Sequence, residues 1–346
     1  MYYTFPAIRG VQAGREYYVS MCPLRLVPRL FLFDETELEP ELRSQRVINK
    51  SRIPLIAQYM VNHPNDYVFS ALTVSIDGTP QFIPLSTEPE HYNIGTVKIP
   101  MSARFIINDG QHRRAGIEVA LRERPELGNE TIAVVFFVDE GLKRCQQMFA
   151  DLNRYSIRPT ESLTILYDYR DPLAEIARTL TQTVPIFNGL TEFEKSTISN
   201  RSSKLFTLSG IYRATAELLD GLTCSFEEKL AIATAFWTSV SSCIPEWNAV
   251  KSGHLSAGTL RRDYIHAHAI FLVALGKVGR TLLNLPAPWG EKLQPLADVD
   301  WHRSNPRWEG RVTVGGRISF SRSNLQELTN ELMQILHGDC DFRTVE

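Results

Sequence analysis

The chain predicts an α+β fold in which strands come first and helices later. Three observations carry that expectation. As far as residue 138, apolar residues gather in short β-branched and aromatic runs such as Val68-Phe-Ser-Ala-Leu-Thr-Val-Ser-Ile76 and Thr131-Ile-Ala-Val-Val-Phe-Phe-Val138, the pattern of strands. Beyond it they recur at three-to-four spacing over 161–180, 205–220, 226–241, 259–283 and 323–337, the pattern of amphipathic helices. The length of 346 residues, set against about 150 residues per domain, implies two domains or one with a helical extension. We expect a β-rich part over 1–155 and a mainly helical part with a basic C-terminal hairpin over 156–346.

In chain order, residues 41–60 read as one or two helices, with Pro54 as a break or a new first turn. On such a helix Arg43, Arg46 and Lys50 stand three and four apart along one face, either a phosphate track for DNA or a merely solvated surface. Val68 to Ile76 then leads through Asp77-Gly78 into Gln81-Phe-Ile-Pro-Leu85, a hairpin signal. Residues 104–138 read as strand, turn, helix and strand, a βαβ-like unit. Within it Ile117, Ala120 and Leu121 form the face that packs on the sheet, and the helix N-terminus points at the sheet edge. A further helix over 141–152 stops near Pro159, and Leu285-Pro-Ala-Pro288 is a connector.

The segment from Trp301 to Arg322 holds five arginines against one acid. A three-residue loop at Val314-Gly315-Gly316 would pair Thr313 with Arg317 and Arg311 with Ser319, leaving Val312, Ile318 and Phe320 on the opposite face. Arg307, Arg311 and Arg317 are therefore candidates for DNA contact. Trp301 and Trp308 either join them at base faces or anchor the core.

Composition excludes several classes. A net charge of −2 rules out a basic coat for nucleic acid, so any DNA contact comes from a local patch. No stretch approaches the ~18 apolar residues of a membrane span, and the N-terminus lacks a signal-peptide pattern, so a cytoplasmic protein without a membrane partner is expected. The five cysteines are odd in number and far apart, with no Cys-x-x-Cys pair, which argues for reduced thiols rather than disulfides or a zinc ribbon. His266 and His268, two apart, point to different sides of a helix, and no metal is assigned. Arg261 and Arg262 open the same stretch; ordinary surface exposure is expected of them, with an anion site or DNA contact as the other reading.

The chemistry concentrates in Phe105-Ile-Ile-Asn-Asp-Gly-Gln-His-Arg-Arg-Ala-Gly-Ile117, where an apolar strand breaks at Asp-Gly and two arginines open a helix. Cations in a first helical turn cost roughly 0.3–1 kcal/mol each unless an anion sits with them. The turn thus reads as a phosphate cradle. Gly110 lets the backbone approach a ligand or take a positive φ, Asp109 can cap the helix or hold a metal-bound water, and Arg113 and Arg114 can fork onto phosphate oxygens with Gln111 beside them. His112 can move a proton, donate to phosphate or hold the turn. The plain alternative is a turn with a cap. Asn153 and Arg154 close the helix after the second strand, as further ligand contacts or as a favourable helix C-terminus.

Asp109-Gly110-Gln111-His112-Arg113 is the pentapeptide of the DGQHR-domain proteins, and the chain resembles the DndB family of the DNA phosphorothioation system. Arg46 with Tyr59 and Asn62-His63-Pro64, Phe149-Ala-Asp-Leu-Asn153, Lys204-Leu-Phe-Thr-Leu208 and Arg261-Arg-Asp-Tyr264 fit that family more loosely. More distantly the region is similar to the ParB and sulfiredoxin fold, whose phosphate-holding turn is matched by Gly110 to Ala115. The resemblance implies a DNA-binding regulatory or accessory protein of phosphorothioation, a repressor of the modification genes, with DNA, other phosphorothioation proteins and a second copy of itself as partners. It also implies a nucleotide such as ATP, with Mg, as the ligand of the turn. The alternative class is a nucleotide phosphohydrolase or DNA-nicking enzyme using Asp109 and His112. The residues favour regulation, since neither a carboxylate cluster for metal nor a Walker-type loop stands in the sequence. In a sulfur-modification pathway Cys22 is either a sulfur sensor or, with no activating neighbour, a buried structural thiol.

Overall fold

The computed structural model describes residues 1–31, 48–138, 142–154, 159–283 and 289–337. The chain divides into two compact units, Met1–Ile157 and Arg158–Glu346. The first is built on a seven-stranded mixed sheet, so the chain is of mixed α/β type, β-rich at its start and helical after.

The strands are β1 (Tyr2–Gln12), β2 (Arg15–Pro23), β3 (Leu72–Asp77), β4 (Gln81–Pro84), β5 (Ile94–Pro100), β6 (Arg104–Asp109) and β7 (Thr131–Val138). They lie in the order β4-β5-β1-β2-β7-β3-β6. Only β3 and β7 run parallel; the other neighbours are antiparallel. With the sheet go α1 (Val27–Leu30), α2 (Arg52–Asn62), α3 (Gln111–Glu123) and α4 (Leu142–Arg154). The core is apolar and aromatic, with Val74, Ile76, Ile107, Val134 and Phe136 all fully buried beside Ile117 and Ala120 of α3.

Three expectations are corrected here. The hairpin across Asp77-Gly78 does not form: β3 lies between β7 and β6, while β4 pairs with β5 at the far edge. β3 is buried at every position but its last, and such a strand needs partners along both edges, which the short, half-exposed β4 does not provide. The unit over 104–138 is not a parallel βαβ crossover, because β3 separates β6 from β7 and β6 runs opposite to it. Lys50 stands in a turn before α2, not on a helix. Asn49 closes that turn: its Oδ1 accepts from Ser51 N at 3.1 Å and its backbone oxygen from Arg52 N at 3.1 Å, and Pro54 then falls in the first turn of α2. Arg43 and Arg46 lie outside the described residues.

The second unit contains α5 (Glu161–Tyr167), α6 (Pro172–Thr183), the paired β8 (Thr191–Glu192) and β9 (Phe206–Thr207), α7 (Leu208–Leu219), α8 (Phe226–Cys243), α9 (Pro245–Lys251), α10 (Ala257–Asp263), α11 (Ala269–Leu282), α12 (Trp289–Leu293), the hairpin of β10 (Thr313–Val314) and β11 (Arg317–Ile318), and α13 (Arg322–His337). α11 is apolar nearly all round and forms the centre of this core. Its Gly276 lies where an added Cβ would come 2.1 Å from the Ala214 oxygen, so the backbones of α7 and α11 meet directly. The stretch expected to be one helix over 161–180 is two, because Asp171 caps Leu173 N at 2.8 Å with Pro172 at the first helical position. That over 259–283 is also two, parted at Tyr264, which bridges to His302. The connector over 285–288 lies outside the described residues.

The C-terminal hairpin does not take the expected three-residue loop: Thr313 pairs with Ile318 and Val314 with Arg317, around a two-residue turn. Gly315 and Gly316 have φ of 58° and 74°, the positive values a tight hairpin turn requires at both positions. The Glu309 carboxylate secures the turn, accepting from Gly315 N at 2.7 Å and from Thr313 Oγ1 at 2.8 Å.

Candidate functional site

Strand β6 ends at Asp109 on the sheet edge, and Gly110, with a φ of 107°, turns the chain into α3. An added Cβ at Gly110 would lie 2.4 Å from Leu72 Cδ2 and 3.3 Å from Arg113 Nε, so glycine is required by space as well as by φ. No side chain caps α3. Asp109 instead accepts from Arg113 Nη2 at 2.6 Å, one helical turn on.

The two arginines have protein acceptors. Arg113 Nη1 also donates to the Ser70 carbonyl at 3.0 Å and to the Ser70 hydroxyl. Arg114 donates through Nε to Phe31 O at 2.9 Å, through Nη2 to Pro28 O at 2.9 Å, and through Nη1 to Glu118. Arg114 thereby ties the end of α1 to α3, and neighbouring carboxylates and carbonyls answer the positive charge at the helix start. Gln111 is buried, its amide donating to Ile107 O at 3.2 Å. His112 Nε2 accepts from Asn49 N at 3.0 Å, which requires that nitrogen to be unprotonated.

Asn108 was not singled out from the sequence, although it interrupts the apolar run of β6. It is fully buried, and its Nδ2 donates to Ser75 Oγ at 2.6 Å and to Met148 Sδ of α4 at 3.1 Å. Its Oδ1 has no partner, an unsatisfied acceptor one residue before the turn. Asn153 lies in the last turn of α4 and the exposed Arg154 is its final residue. Lys50 is exposed, beside the Asn49 that His112 holds.

In the second unit, Arg307 and Arg311 both pair with the buried Glu331 of α13, Arg311 Nε at 3.2 Å, while Arg317 is exposed. Trp301 and Trp308 are fully buried and stacked 5.2 Å apart, so they anchor the core and offer no face to a base. Arg261, expected at the surface, is 7% exposed. Arg262 does stand at the surface, paired with Asp263 at 2.8 Å. Cys22 is fully buried and burial pushes its thiol up to about 12, the setting of an inert structural cysteine. Among the described residues no helix is long and apolar enough to cross a membrane.

Together these features define a two-unit protein whose N-terminal mixed sheet carries a glycine turn braced by arginines. The chain belongs to the DndB family, described as DNA-sulfur modification-associated, which it matches over residues 5–338. Membership ties it to DNA sulfur modification, the phosphorothioation system. No curated protein and no solved structure matches the chain.

Proposed function

We propose that the protein is a DNA-binding regulator of the phosphorothioation system, a transcriptional repressor of the modification genes. Beyond family membership, one observation supports this reading over the enzymatic one: His112 Nε2 is taken by Asn49 N at 3.0 Å, and one oxygen of Asp109 by Arg113 at 2.6 Å. A general base acts through a lone pair facing the reacting group, and at His112 that of Nε2 points to the Asn49 backbone. The DGQHR turn is on this reading a rigid junction between β6 and α3 in a ParB-like N-terminal domain over 1–155, followed by the helical domain over 156–346. It also fixes Asn49, and hence the exposed Lys50 at the end of the basic stretch with Arg43 and Arg46. Among the described residues, Lys50 and Arg317 are phosphate-contact candidates whose charge has no carboxylate within ion-pair distance. Other phosphorothioation proteins and a second copy of this chain are its proposed protein partners.

Gel shift with the promoter of the protein's own operon, against a random duplex of equal length at two salt concentrations, tests the proposal. Promoter-selective binding is expected, with the salt slope lowered by about 1 for each of Lys50→Glu and Arg317→Glu. Weak, sequence-blind binding would overturn it. Magnesium-dependent nucleotide turnover that vanishes in a folded Asp109→Ala protein would establish the enzymatic alternative.

A further inference from the structure

A cavity of about 420 Å³ opens within the second unit, where the N-terminal ends of α7 and α11 and the side chain of Arg261 come together. Its size is that of a small-molecule site. Leu205, Phe206 and Leu272 give it an apolar floor, and the exposed Ser196 and Thr197 stand at its mouth.

The two helix ends differ. At α7, Thr207 Oγ1 accepts from Gly210 N at 3.1 Å and Ser162 Oγ from Ser209 N at 3.2 Å, so the first-turn donors are largely used. At α11, His268 occupies the capping position without a side-chain bond to the helix, and the N–H groups of Ala269 and Ile270, both lining the cavity, have no acceptor. Two aligned donors at the positive end of a fourteen-residue helix favour an anion.

Arg261 is the second, independent observation. Its guanidinium is buried, with Nη2 donating to Ser199 O at 2.7 Å and Ser202 O at 3.0 Å and Nη1 donating to Lys204 O, all carbonyls. Its Nε has no partner at all. Burial lowers its pKa with no carboxylate to offset that, so a cation is held out of water without a counter-charge. His268, pushed down to about 4 by burial, is neutral at neutral pH and leaves Arg261 as the cation of the cavity wall.

We infer that this cavity binds a small ligand of the phosphate-monoester class, its oxyanion meeting the Ala269 and Ile270 N–H groups beside the buried charge of Arg261, and its body lying on Leu205, Phe206 and Leu272. The site is separate from the DGQHR turn and does not depend on the DNA-binding reading. It gives the protein a small-molecule input.

Titration calorimetry on the full chain, with inorganic phosphate and AMP as probes, tests it. Saturable one-to-one binding is expected; equal affinities identify a free-phosphate site, and tighter AMP binding a nucleotide site. Ala269→Pro removes one of the donors at the first helical position, where proline is tolerated and the extended His268 precedes it suitably. This variant keeps its circular dichroism and melting temperature and loses at least tenfold in affinity. Arg261→Gln loses binding as well; should it fail to fold, Ala269→Pro carries the test. No binding of either probe at millimolar concentration, or undiminished binding in folded Ala269→Pro, would overturn the inference.

Discussion

Gly110 is the residue on which the DGQHR turn depends. Its φ of 107° and the 2.4 Å approach of a Cβ to Leu72 Cδ2 act together, since Leu72 is itself fully buried and has little room to yield. Gly110→Ala should therefore cost about 2–4 kcal/mol, from the backbone conformation and overpacking combined. Urea unfolding followed by tyrosine fluorescence or hydrogen exchange of β6 would read it, and a loss under 0.5 kcal/mol would contradict the geometry. The need for glycine was legible in the sequence, because Asp-Gly between an apolar run and a helical pattern marks a turn. The fate of the arginines was not. A local pattern says that two cations at a helix start want an anion, but beside Glu118 the acceptors of Arg114 are carbonyls of Pro28 and Phe31, more than eighty residues earlier. Asp109, four residues before Arg113, and Glu118, four after Arg114, were the partners that helical spacing could have named.

Elements show the same limit in another form. Strands β3, β4, β6 and β7 and most of the longer helices are where periodicity puts them, while β1, β2 and β5 were not singled out, and adjacency in the chain misleads about adjacency in the sheet. β3 and β4 stand four residues apart in outline and yet lie near opposite edges, since the buried β3 takes β6 and β7 as neighbours. The basic C-terminal segment was legible as a hairpin, but its register was set by the turn: Gly-Gly with two positive φ values makes the two-residue loop and places Thr313 opposite Ile318. What binds this segment to the last helix is Glu331, 8% exposed at its side chain, between Arg307 and Arg311. Removing the acid leaves two partly covered guanidiniums facing each other. Glu331→Ala should cost about 2–4 kcal/mol, less than a fully buried pair because both arginines still reach water. Thermal melting of that variant against Arg317→Ala, which touches no such pair and should be near neutral, checks the assignment; equal melting temperatures would refute it.

At the scale of the whole molecule, two units with separate cores can respond differently to pH. All five tryptophans lie after residue 158, so tryptophan fluorescence reports the second unit alone. That unit also contains two histidines whose pKa burial pushes down, His268 to about 4 and the fully buried His266, whose Nδ1 accepts from Trp247 Nε1 at 3.1 Å and whose Nε2 faces Glu246 at 3.4 Å. Unfolding returns both to the ordinary value near 6.5, so below that pH the unfolded chain binds protons that the native one refuses. Stability of the second unit is full above pH 6.5 and falls as pH drops toward 4, by on the order of 1–3 kcal/mol for His268. Glu246, with a lowered pKa, adds its own loss only as pH falls below its ordinary value of 4.5, so the histidines govern the range between 6.5 and 5. Urea midpoints read by tryptophan fluorescence at pH 7.5 and 5.0 should therefore decrease, and the decrease should shrink in His268→Asn. A midpoint independent of pH over that range would mean that both histidines are protonated in the folded protein, which for His266 the ring nitrogen accepting from Trp247 does not allow.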